Sequence, residues 1–401
     1  MNKFDLNNCR KVLLGTLNDP SSDPRPYRII WLLKSMNYRI DLISFLLESN
    51  LPIENHFELI IKSKENSFKN LIRKIKFVLI RLLVKFYIPH DLFKKAFLDS
   101  DLYPMRFDIN DIVKKIGKDD YSIIIIEDLY LLPLALKYKK NAKVIFDARE
   151  YYPKQNEDRI LFRILEQPLR YHICDKYMSK CDLVITVSSG LADAYLNEFN
   201  VQAKVIQSTP LSYYCEPKKT EINKIQMVHH GGANCNRRLE TMIQLFDYLD
   251  KRFSLDFYLV GNPDYVNVLK QLAQNNPAIN FRDPVDFNDI IPMLSAYDIG
   301  LYFFTEPSNF NIRHCLPNKL FEFIQARLMV AIGPAPEMSK IVQEYGCGVV
   351  SDDYLPGSLA DCLNQLTLDD VFRYKQKSHD AAKVLNWEQE SLKLTELLEN
   401  L

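Results

Sequence analysis

The stretch "CLPNKLFEFIQARLMVAI", residues 315–332, contains the pattern that decides the fold of this chain. Residues 318–326 have the apolar spacing of a largely buried helix, and the apolar run 329–332 has the length of a buried strand. Helices that alternate with short apolar strands are typical of a parallel sheet covered by helices. The stretch therefore predicts an α/β fold.

The same alternation runs along most of the chain in two series, separated by the polar, lysine-rich segment 210–224 with its two prolines. The predicted strands of the first series are 11–15, 39–44, 122–126, 143–146, 182–187 and 204–206. Those of the second series are 226–229, 256–260, 279–281, 299–302, 329–332 and 348–350. We predict two Rossmann-like, doubly wound parallel-sheet domains facing across a cleft, where ligands bind at the carboxyl ends of strands. The predicted segments are 1–214, 215–377 and a closing helix, 378–401, packing back towards the N-terminal domain.

The composition excludes several classes of protein. The chain has 401 residues, with 51 Lys and Arg against 51 Asp and Glu, and this balance does not favour nucleic-acid binding. None of the eight cysteines forms a CxxC pair, so a zinc or redox site is not expected. The N-terminus does not resemble a secretory signal, and no run reaches the roughly 18 apolar residues that cross a bilayer. We predict a cytoplasmic protein that holds no metal and no cofactor.

Residues 62–95 depart from the neutral balance. They contain ten Lys and Arg, interleaved with apolar residues, and only Glu65 and Asp91 oppose them. A basic amphipathic helix of this kind can lie on an anionic membrane surface. The alternative is a helix with a solvated basic face. We carry both, and the first predicts peripheral contact with the inner face of the plasma membrane.

The stretch "HHGGANCNRRLE", 229–240, follows a predicted strand and precedes a predicted helix. Gly231 and Gly232 allow a tight turn with exposed backbone N–H groups, and a cation arrives at the helix start. These features together can hold phosphate. The alternative is a plain turn between strand and helix, because the stretch is neither GxGxxG nor a Walker loop.

The start of the 318–326 helix combines a cation with an anion on one face. Pro317 suits a first helical turn, whose free N–H groups and positive dipole end favour an anion. Lys319 could meet the same anion, whereas Glu322 could accept two hydrogen bonds from a diol. The pair would suit the phosphate and the ribose of one nucleotide. The alternative is a surface Lys–Glu pair worth a few tenths of a kcal/mol.

Two further polar stretches follow predicted strands. "FDAREYYP", 146–153, places three charged residues at the carboxyl end of a strand, where α/β active sites lie. The loop 15–25 follows the first strand and could line the same cleft. A capped turn and an ordinary surface loop are the alternatives.

Taken together, the order and spacing of these stretches resemble the GT-B glycosyltransferases, and most closely glycosyltransferase family 4 of the bacterial surface polysaccharide type. The resemblance covers nearly the whole chain. It is carried by "SDPRPYRIIWLLKSMNYRIDLIS" (22–44), "YSIIIIEDLYLLPLAL" (121–136), "VIFDAREYYP" (144–153), "CDLVITVSSGLADAYLNEFN" (181–200), "HHGGANCNRRLETMI" (229–243), "YDIGLYFF" (297–304), "LPNKLFEFIQARLMVAIG" (316–333) and "EYGCGVV" (344–350).

The resemblance implies transfer of a sugar from a nucleotide diphosphate sugar to a hydroxyl of a glycan or lipid-linked acceptor, with retention and without a metal. The catalytic residues that it implies are Arg237, Lys319, Arg149 and Glu150. The donor-binding residues are Gly231, Gly232, Arg237, His314, Pro317, Asn318, Lys319, Leu320 and Glu322. The residues on the acceptor side are Asp23, Arg25, Asp128 and Arg149.

The chain departs from the family pattern at two positions. The family has a pair of glutamates separated by seven residues, and the partner position of Glu322 holds His314. Arg149 stands where many relatives carry histidine. Two alternatives therefore stay open: a nucleotide-sugar epimerase of the same architecture, and a non-catalytic module that binds a nucleotide sugar or a partner.

Overall fold

The computed structural model describes residues 10–61, 107–108, 117, 119–222 and 224–401. The chain divides into two compact units, Met1–Ile206 with Leu401, and Gln207–Asn400. The division falls before the predicted boundary at 214/215. The reason is hydrogen bonding, because the backbone N–H groups of Gln207 and Tyr213 donate to Glu390 and Gln325 of the second unit.

A seven-stranded parallel sheet, in the order β3-β2-β1-β6-β7-β8-β9, forms the centre of the first unit. An antiparallel pair, β4 with β5, stands apart from it. The strands are β1 (Lys11–Gly15), β2 (Arg39–Ser44), β3 (Asn55–Glu58), β4 (Ile60–Ile61), β5 (Phe107–Asp108), β6 (Ile123–Ile126), β7 (Lys143–Ala148), β8 (Leu183–Thr186) and β9 (Lys204–Val205).

The sheet of the first unit grows outwards from β1 in both directions. The chain runs from β1 to β2 and β3 on one side, and β6 then returns to the other side of β1. Gly15 pairs with Ile126 at the carboxyl ends of these two central strands. In parallel sheets a reversal of this kind opens a crevice for a ligand. The loops after Gly15 and Ile126 therefore flank the expected binding edge.

Helices connect these parallel strands. They are α1 (Pro24–Ser35), α2 (Leu132–Tyr138), α3 (Ile160–Leu165), α4 (Gln167–Tyr177) and α5 (Ser189–Phe199). The sequence pattern of residues 161–180 predicts one helix, but the structure interrupts it at Glu166. Pro168 occupies the first turn of α4, where a missing N–H costs nothing, and its ring is incompatible with a continuous helix.

The second unit has a six-stranded parallel sheet in the order β12-β11-β10-β13-β14-β15, which is the Rossmann order. Its strands are β10 (Ile225–Ala233), β11 (Phe253–Gly261), β12 (Ile279–Arg282), β13 (Ile299–Tyr302), β14 (Met329–Ile332) and β15 (Gly348–Val350). Its helices are α6 (Glu240–Gln244), α7 (Pro263–Ala273), α8 (Ile290–Leu294), α9 (Phe310–Arg313), α10 (Asn318–Gln325), α11 (Pro336–Tyr345), α12 (Pro356–Asn364), α13 (Leu368–Ala382) and α14 (Trp387–Glu399).

Apolar side chains cover both faces of this second sheet. On one face α10 lies very close to β13, because a Cβ on Gly300 would stand 2.2 Å from the ring of Phe323. The missing side chain of Gly300 therefore allows the close approach. This packing orients α10, on which Lys319 and Glu322 lie.

The end of the chain differs from the predicted single helix over 378–401. Ser378 lies inside α13, and α14 begins only at Trp387. Asn386 separates the two helices, and its side chain caps α14 by accepting a hydrogen bond from the N–H of Gln389 at 3.0 Å. Both helices belong to the second unit.

The predicted membrane-contacting stretch, 62–95, lies outside the described residues. Within the residues that the structure does describe, no helix combines the length and the apolar character needed to cross a bilayer.

Candidate functional site

The phosphate-type turn predicted at 229–240 lies at the carboxyl end of β10, one of the two central strands of the second sheet. Gly231 has a φ of 99°, a conformation that residues with a side chain rarely adopt. A Cβ there would stand 2.6 Å from Nζ of Lys319 and 2.8 Å from its Cε. Gly231 therefore provides both the backbone conformation and the space for Lys319. Among the residues that the structure describes, nothing lies within 4 Å of a Cβ built on Gly232.

Arg237 ends a short helical turn, Cys235–Arg237, that follows β10. The side chain of Asn234 caps this turn by accepting a hydrogen bond from the N–H of Asn236 at 3.0 Å. Arg238 takes a left-handed conformation with a φ of 50° and redirects the chain into α6. The sequence pattern of residues 238–250 predicts one helix, but the structure has α6 followed by a separate short helical turn, Leu245–Asp247. Arg237 lies on the capped turn that precedes α6.

Arg237 and Lys319 meet at the ring of Tyr302, the last residue of β13. The guanidinium carbon of Arg237 lies 5.6 Å from the ring centroid, and Nζ of Lys319 lies 5.9 Å from it. Arg237 lies on the turn after β10, Tyr302 ends β13 and Lys319 lies on α10. Strands β10 and β13 flank the point where the strand order of the sheet reverses. The structure therefore brings the two predicted cations together.

The pKa of Lys319 is lowered to about 8. Burial is the main cause, because it penalises the ammonium form, and the nearby charge of Arg237 adds to the effect. Glu322 opposes this shift. Lys319 and Arg237 thus place two positive charges close together, and an anion bound there would stabilise both.

Glu322 lies one turn along α10 and is only 7% exposed. Its Oε2 lies 3.2 Å from Nε2 of His230 on β10. Burial contradicts the alternative of a solvated Lys–Glu surface pair. The carboxylate instead lies beside the residue that precedes Gly231.

The remaining predicted donor-side residues have separate roles in the structure. Nδ1 of His314 lies 3.4 Å from Oε1 of Glu337, and its ring stacks on Phe310. Pro317 is the N-cap residue of α10, and Asn318 is the first residue of that helix. The side chain of Leu320, also predicted on the donor side, is buried in the core.

The first unit places a second polar cluster at the carboxyl ends of β1, β6 and β7. Glu127 follows β6 directly and is fully buried. Within the described chain, neither of its carboxyl oxygens has a hydrogen-bond partner. Burial raises the pKa of Glu127 well above its ordinary value, although the positive charge of Arg149 opposes the shift. Asp128 accepts a hydrogen bond from the N–H of Leu17 at 2.7 Å, and burial raises its pKa too.

Arg149 lies between two carboxylates of this cluster. Its Nη1 donates to Oδ2 of Asp23 at 2.6 Å and lies 3.6 Å from Oε2 of Glu127. Burial alone would lower the pKa of Arg149, but the attraction of Glu127 and Asp23 outweighs it and raises this pKa. Asp23 also caps α1. Asp23 and Arg149 are thus in contact at the edge of the sheet, and the charges of both act on Asp128.

Arg25, the fourth predicted acceptor-side residue, lies in the interior of the first unit instead. It is only 2% exposed and binds Asp147 through two hydrogen bonds, at 2.6 and 2.9 Å. A third donor reaches the carbonyl oxygen of Ile206 at 2.8 Å. Arg25 joins α1 to β7 in the interior, so its guanidinium is not offered to an acceptor.

Glu150, predicted as catalytic, follows Arg149 and is partly buried. Its backbone oxygen accepts a hydrogen bond from the hydroxyl of Tyr195 at 2.6 Å, which orients this part of the loop. Burial raises the pKa of its carboxyl, which also forms a hydrogen bond with the side chain of Gln155. The carboxyl groups of Glu150 and Glu127 thus share a pKa that is raised by burial.

Three site residues, Tyr302, His230 and Glu127, were missed from the sequence. Tyr302 and Glu127 sit at strand ends beside the reversal point of their sheets, and His230 precedes the glycine pair. The available signal was their position after or at the end of an apolar strand. In the described part of the chain, no group of three or more His, Cys, Asp and Glu side chains is arranged to hold a metal ion.

No protein-family model and no curated protein matches this chain. Solved structures match over nearly its whole length. HepE of Anabaena, solved with UDP and glucose, is 13% identical with a TM-score of 0.65, and the match covers 98% of this chain and 100% of HepE. Sucrose-phosphate synthase of Thermosynechococcus elongatus is 12% identical with a TM-score of 0.71, covering 98% of each chain.

A third match is WaaG, described as a glycosyltransferase involved in lipopolysaccharide biosynthesis. It is 10% identical with a TM-score of 0.63, and the match covers 95% of this chain and 99% of WaaG. These likenesses establish the fold class. The chain has the GT-B fold of glycosyltransferases, with two Rossmann-like parallel-sheet units.

Proposed function

We propose that this protein is a glycosyltransferase that moves a sugar from a nucleotide diphosphate sugar to an acceptor hydroxyl. One observation carries the proposal: Arg237 and Lys319 gather at Tyr302 beside Gly231, at the carboxyl ends of the central strands of the second sheet. Two cations at this edge of a Rossmann-type sheet suit a diphosphate. The fold shared with HepE, which was solved with UDP and glucose, supports the same conclusion.

The leaving nucleoside diphosphate gains negative charge as the glycosidic bond breaks. In our proposal Arg237 and Lys319 stabilise that charge from fixed positions, an effect that is strong where little water is present. The two cations would take the part that a divalent metal plays elsewhere. Glu322, which lies one turn after Lys319 on α10, would accept hydrogen bonds from the ribose hydroxyls.

The polar cluster of the first unit is our candidate for holding the acceptor. Asp23, Asp128 and Arg149 present carboxylates and one cation at a sheet edge, a combination that suits sugar hydroxyls. Glu150 would lie close to the reacting hydroxyl. We further propose a glycan or lipid-linked acceptor in surface polysaccharide synthesis, because WaaG, which has the same fold, takes part in lipopolysaccharide biosynthesis. Transfer with retention, a cytoplasmic location and contact with the inner face of the plasma membrane through 62–95 belong to the same proposal.

A thermal-shift panel of UDP-, GDP-, CMP- and dTDP-sugars tests the donor site. We expect one nucleotide to raise the unfolding temperature of the wild type, because a ligand that binds only the folded state stabilises it. Glu322→Ala should lose this shift. Glu344→Ala is the matched control, because Glu344 is exposed on α11 of the same unit and should keep the shift.

The products of the reaction separate the proposal from its rivals. Release of free nucleoside diphosphate when an acceptor is added supports transfer. Conversion of the nucleotide sugar into an isomer without that release would indicate an epimerase. Stabilisation by a nucleotide sugar without turnover on any acceptor would indicate a binding module, and no stabilisation by any nucleotide contradicts the proposed donor site.

A further inference from the structure

The ring of Tyr302 is the feature shared by the two cations of the second unit. It is 2% exposed, and both Arg237 and Lys319 lie within 6 Å of its centroid, at 5.6 and 5.9 Å. Two like charges repel each other, and each loses hydration when it is buried. The face of an aromatic ring is electron-rich and attracts cations at this distance. The ring therefore offsets part of the cost of holding both charges in one place.

Neighbouring side chains fix the orientation of this ring. The imidazole of His229 stacks on it with a centroid distance of 5.8 Å and an interplanar angle of 11°. Nδ1 of His229 forms a hydrogen bond with the carbonyl oxygen of Leu301 at 2.9 Å. Burial, together with the charge of Lys319, lowers the pKa of His229 well below its ordinary value, so this imidazole is neutral and adds no third charge. Phe304 meets the ring of Tyr302 edge-on at 5.6 Å.

We propose that Tyr302 is a positioning residue of the donor site, whose ring holds Arg237 and Lys319 together so that they can bind a diphosphate. This inference rests on the proposed function, and it assigns a role that no motif predicted. Tyr302 acts through the two cations rather than by touching the reacting atoms. The ring is the required feature, so phenylalanine should replace it and an aliphatic side chain should not.

Three variants test the role of the ring. Tyr302→Leu keeps an apolar side chain but removes the π face, whereas Tyr302→Phe keeps the ring and removes the hydroxyl. Phe303→Leu is the matched control, because Phe303 is also buried but packs on the opposite face of the sheet. It loses a ring of the same size from the neighbouring position.

Two readouts are needed for each variant. The first is calorimetric titration with inorganic pyrophosphate, a probe that needs neither base nor sugar. The second is the pKa of Lys319, measured by NMR on lysine-labelled protein and assigned with Lys319→Met. This second readout does not depend on any ligand, and a purely structural role of Tyr302 would leave it unchanged.

We expect Tyr302→Leu to weaken pyrophosphate binding by about tenfold, which corresponds to the loss of cation–π attraction at one or two half-buried cations. The pKa of Lys319 should fall further in this variant, because the ring no longer favours the ammonium. Tyr302→Phe should retain most of the affinity and the pKa. Phe303→Leu should lower the unfolding temperature without changing either readout.

Wild-type affinity and an unchanged Lys319 pKa in folded Tyr302→Leu would overturn the inference. Equal effects of Tyr302→Leu and Phe303→Leu would overturn it too, because they would reveal a general loss of packing. Failure of the wild type to bind pyrophosphate or any nucleotide would contradict the proposed function instead. The pKa of Lys319 in Tyr302→Leu would still decide whether the ring positions the cation.

Discussion

Gly231 has a φ of 99°, and a Cβ on it would stand 2.6 Å from Nζ of Lys319. We expect Gly231→Ala to destabilise the second unit by about 1–3 kcal/mol, the usual cost of forcing a side chain into such a conformation. Lys319 should also be displaced, so pyrophosphate binding should weaken. Urea unfolding and calorimetric titration measure the two effects.

Gly232→Ala is the matched control for this prediction. A Cβ at this position meets no atom of the described chain within 4 Å, and the φ of Gly232 is not in the left-handed region. The free energy of unfolding should therefore change by less than about 1 kcal/mol. Equal destabilisation by the two substitutions would contradict the role assigned to Gly231.

Lys319 makes donor binding depend on pH. Its pKa is lowered to about 8 by burial and by Arg237, so most of the side chain is charged at pH 7 and uncharged at pH 9. A diphosphate prefers the charged form. The part of the affinity for pyrophosphate that depends on Lys319 should therefore begin to fall as the pH approaches 8, and the decline should reach up to about tenfold per pH unit above it.

Lys319→Met provides the comparison for this pH dependence. The variant should bind weakly at pH 7 and should lose the decline between pH 8 and 9.5. Isothermal titration at several pH values measures both proteins. The same decline in wild type and variant would assign the titration to another group.

Glu127 makes the stability of the first unit depend on pH in a predictable direction. Burial raises the folded-state pKa of its carboxyl, so the folded protein prefers the protonated form. The stabilisation is fully present below the unfolded pKa of roughly 4.5 and is lost as the pH rises through the folded pKa. Glu127→Gln mimics the protonated form, so its stability relative to the wild type should increase with pH.

Denaturant unfolding between pH 5 and 9 measures this difference. Glu48→Gln is the control, because it makes the same chemical change at an exposed position of the same unit. If Glu127→Gln and the wild type differed by the same free energy at every pH, Glu127 would not titrate in this range.

At the scale of elements, the pair of Arg25 and Asp147 joins helix α1 to strand β7. Both side chains are buried, at 2% and 0% exposure. Arg25→Met would leave Asp147 as an unpaired buried charge. We expect a loss of about 3–5 kcal/mol in the free energy of unfolding, as is typical when one partner of a buried pair is removed.

Arg39→Met is the matched control for the Arg25 prediction. The pair of Arg39 and Glu54 is exposed, at 51% and 37%, and such pairs contribute about 0–1 kcal/mol. Chemical denaturation compares the two variants. If Arg25→Met were as stable as Arg39→Met, Arg25 would be free to act on the acceptor side, as the sequence predicted.

Strand β10 and helix α10 together decide the geometry of the donor site. The sequence predicted β10 over 226–229, but it extends to Ala233 because Gly231 and Gly232 continue to pair with Leu259 and Val260 of β11. The glycines therefore belong to the end of a strand rather than to a free loop. Gly300 lets α10 lie close to β13, so Lys319 reaches the space above Gly231.

At the scale of the whole molecule, all predicted donor-side residues lie in one unit, Gln207–Asn400. This unit has apolar cores on both faces of its own sheet. We therefore expect a fragment of residues 207–401 to fold independently and to bind pyrophosphate or the nucleotide that the full chain binds. Circular dichroism and calorimetric titration measure folding and binding.

The same fragment carrying Lys319→Met is the control for specific binding. It should fold equally well and bind much more weakly. A folded fragment without affinity, beside a full chain that binds, would indicate that residues of the first unit complete the donor site.

The periodicity of the sequence predicted most of both sheets, because parallel strands are buried on both faces and read as short apolar runs. Strand β3 was missed. Its sequence, Asn55–Glu58, has one buried residue, Phe57, and its pairing with β2 depends on tertiary contact. The helix 161–180 was predicted without the interruption that Pro168 causes.

The sequence by itself determined the α/β class, the two units, and the candidate residues Gly231, Arg237, Lys319 and Glu322, because local spacing and turn chemistry carry that information. Only the tertiary structure decided which charges are available. Arg25 is bound by Asp147, 122 residues away along the chain, whereas Arg149 stays at the edge of the sheet. Tyr302 and Glu127 likewise look like ordinary residues at strand ends until folding brings cations against them. Pairing between distant residues depends on the order of strands in the sheet, and short-range patterns in the sequence do not contain that order.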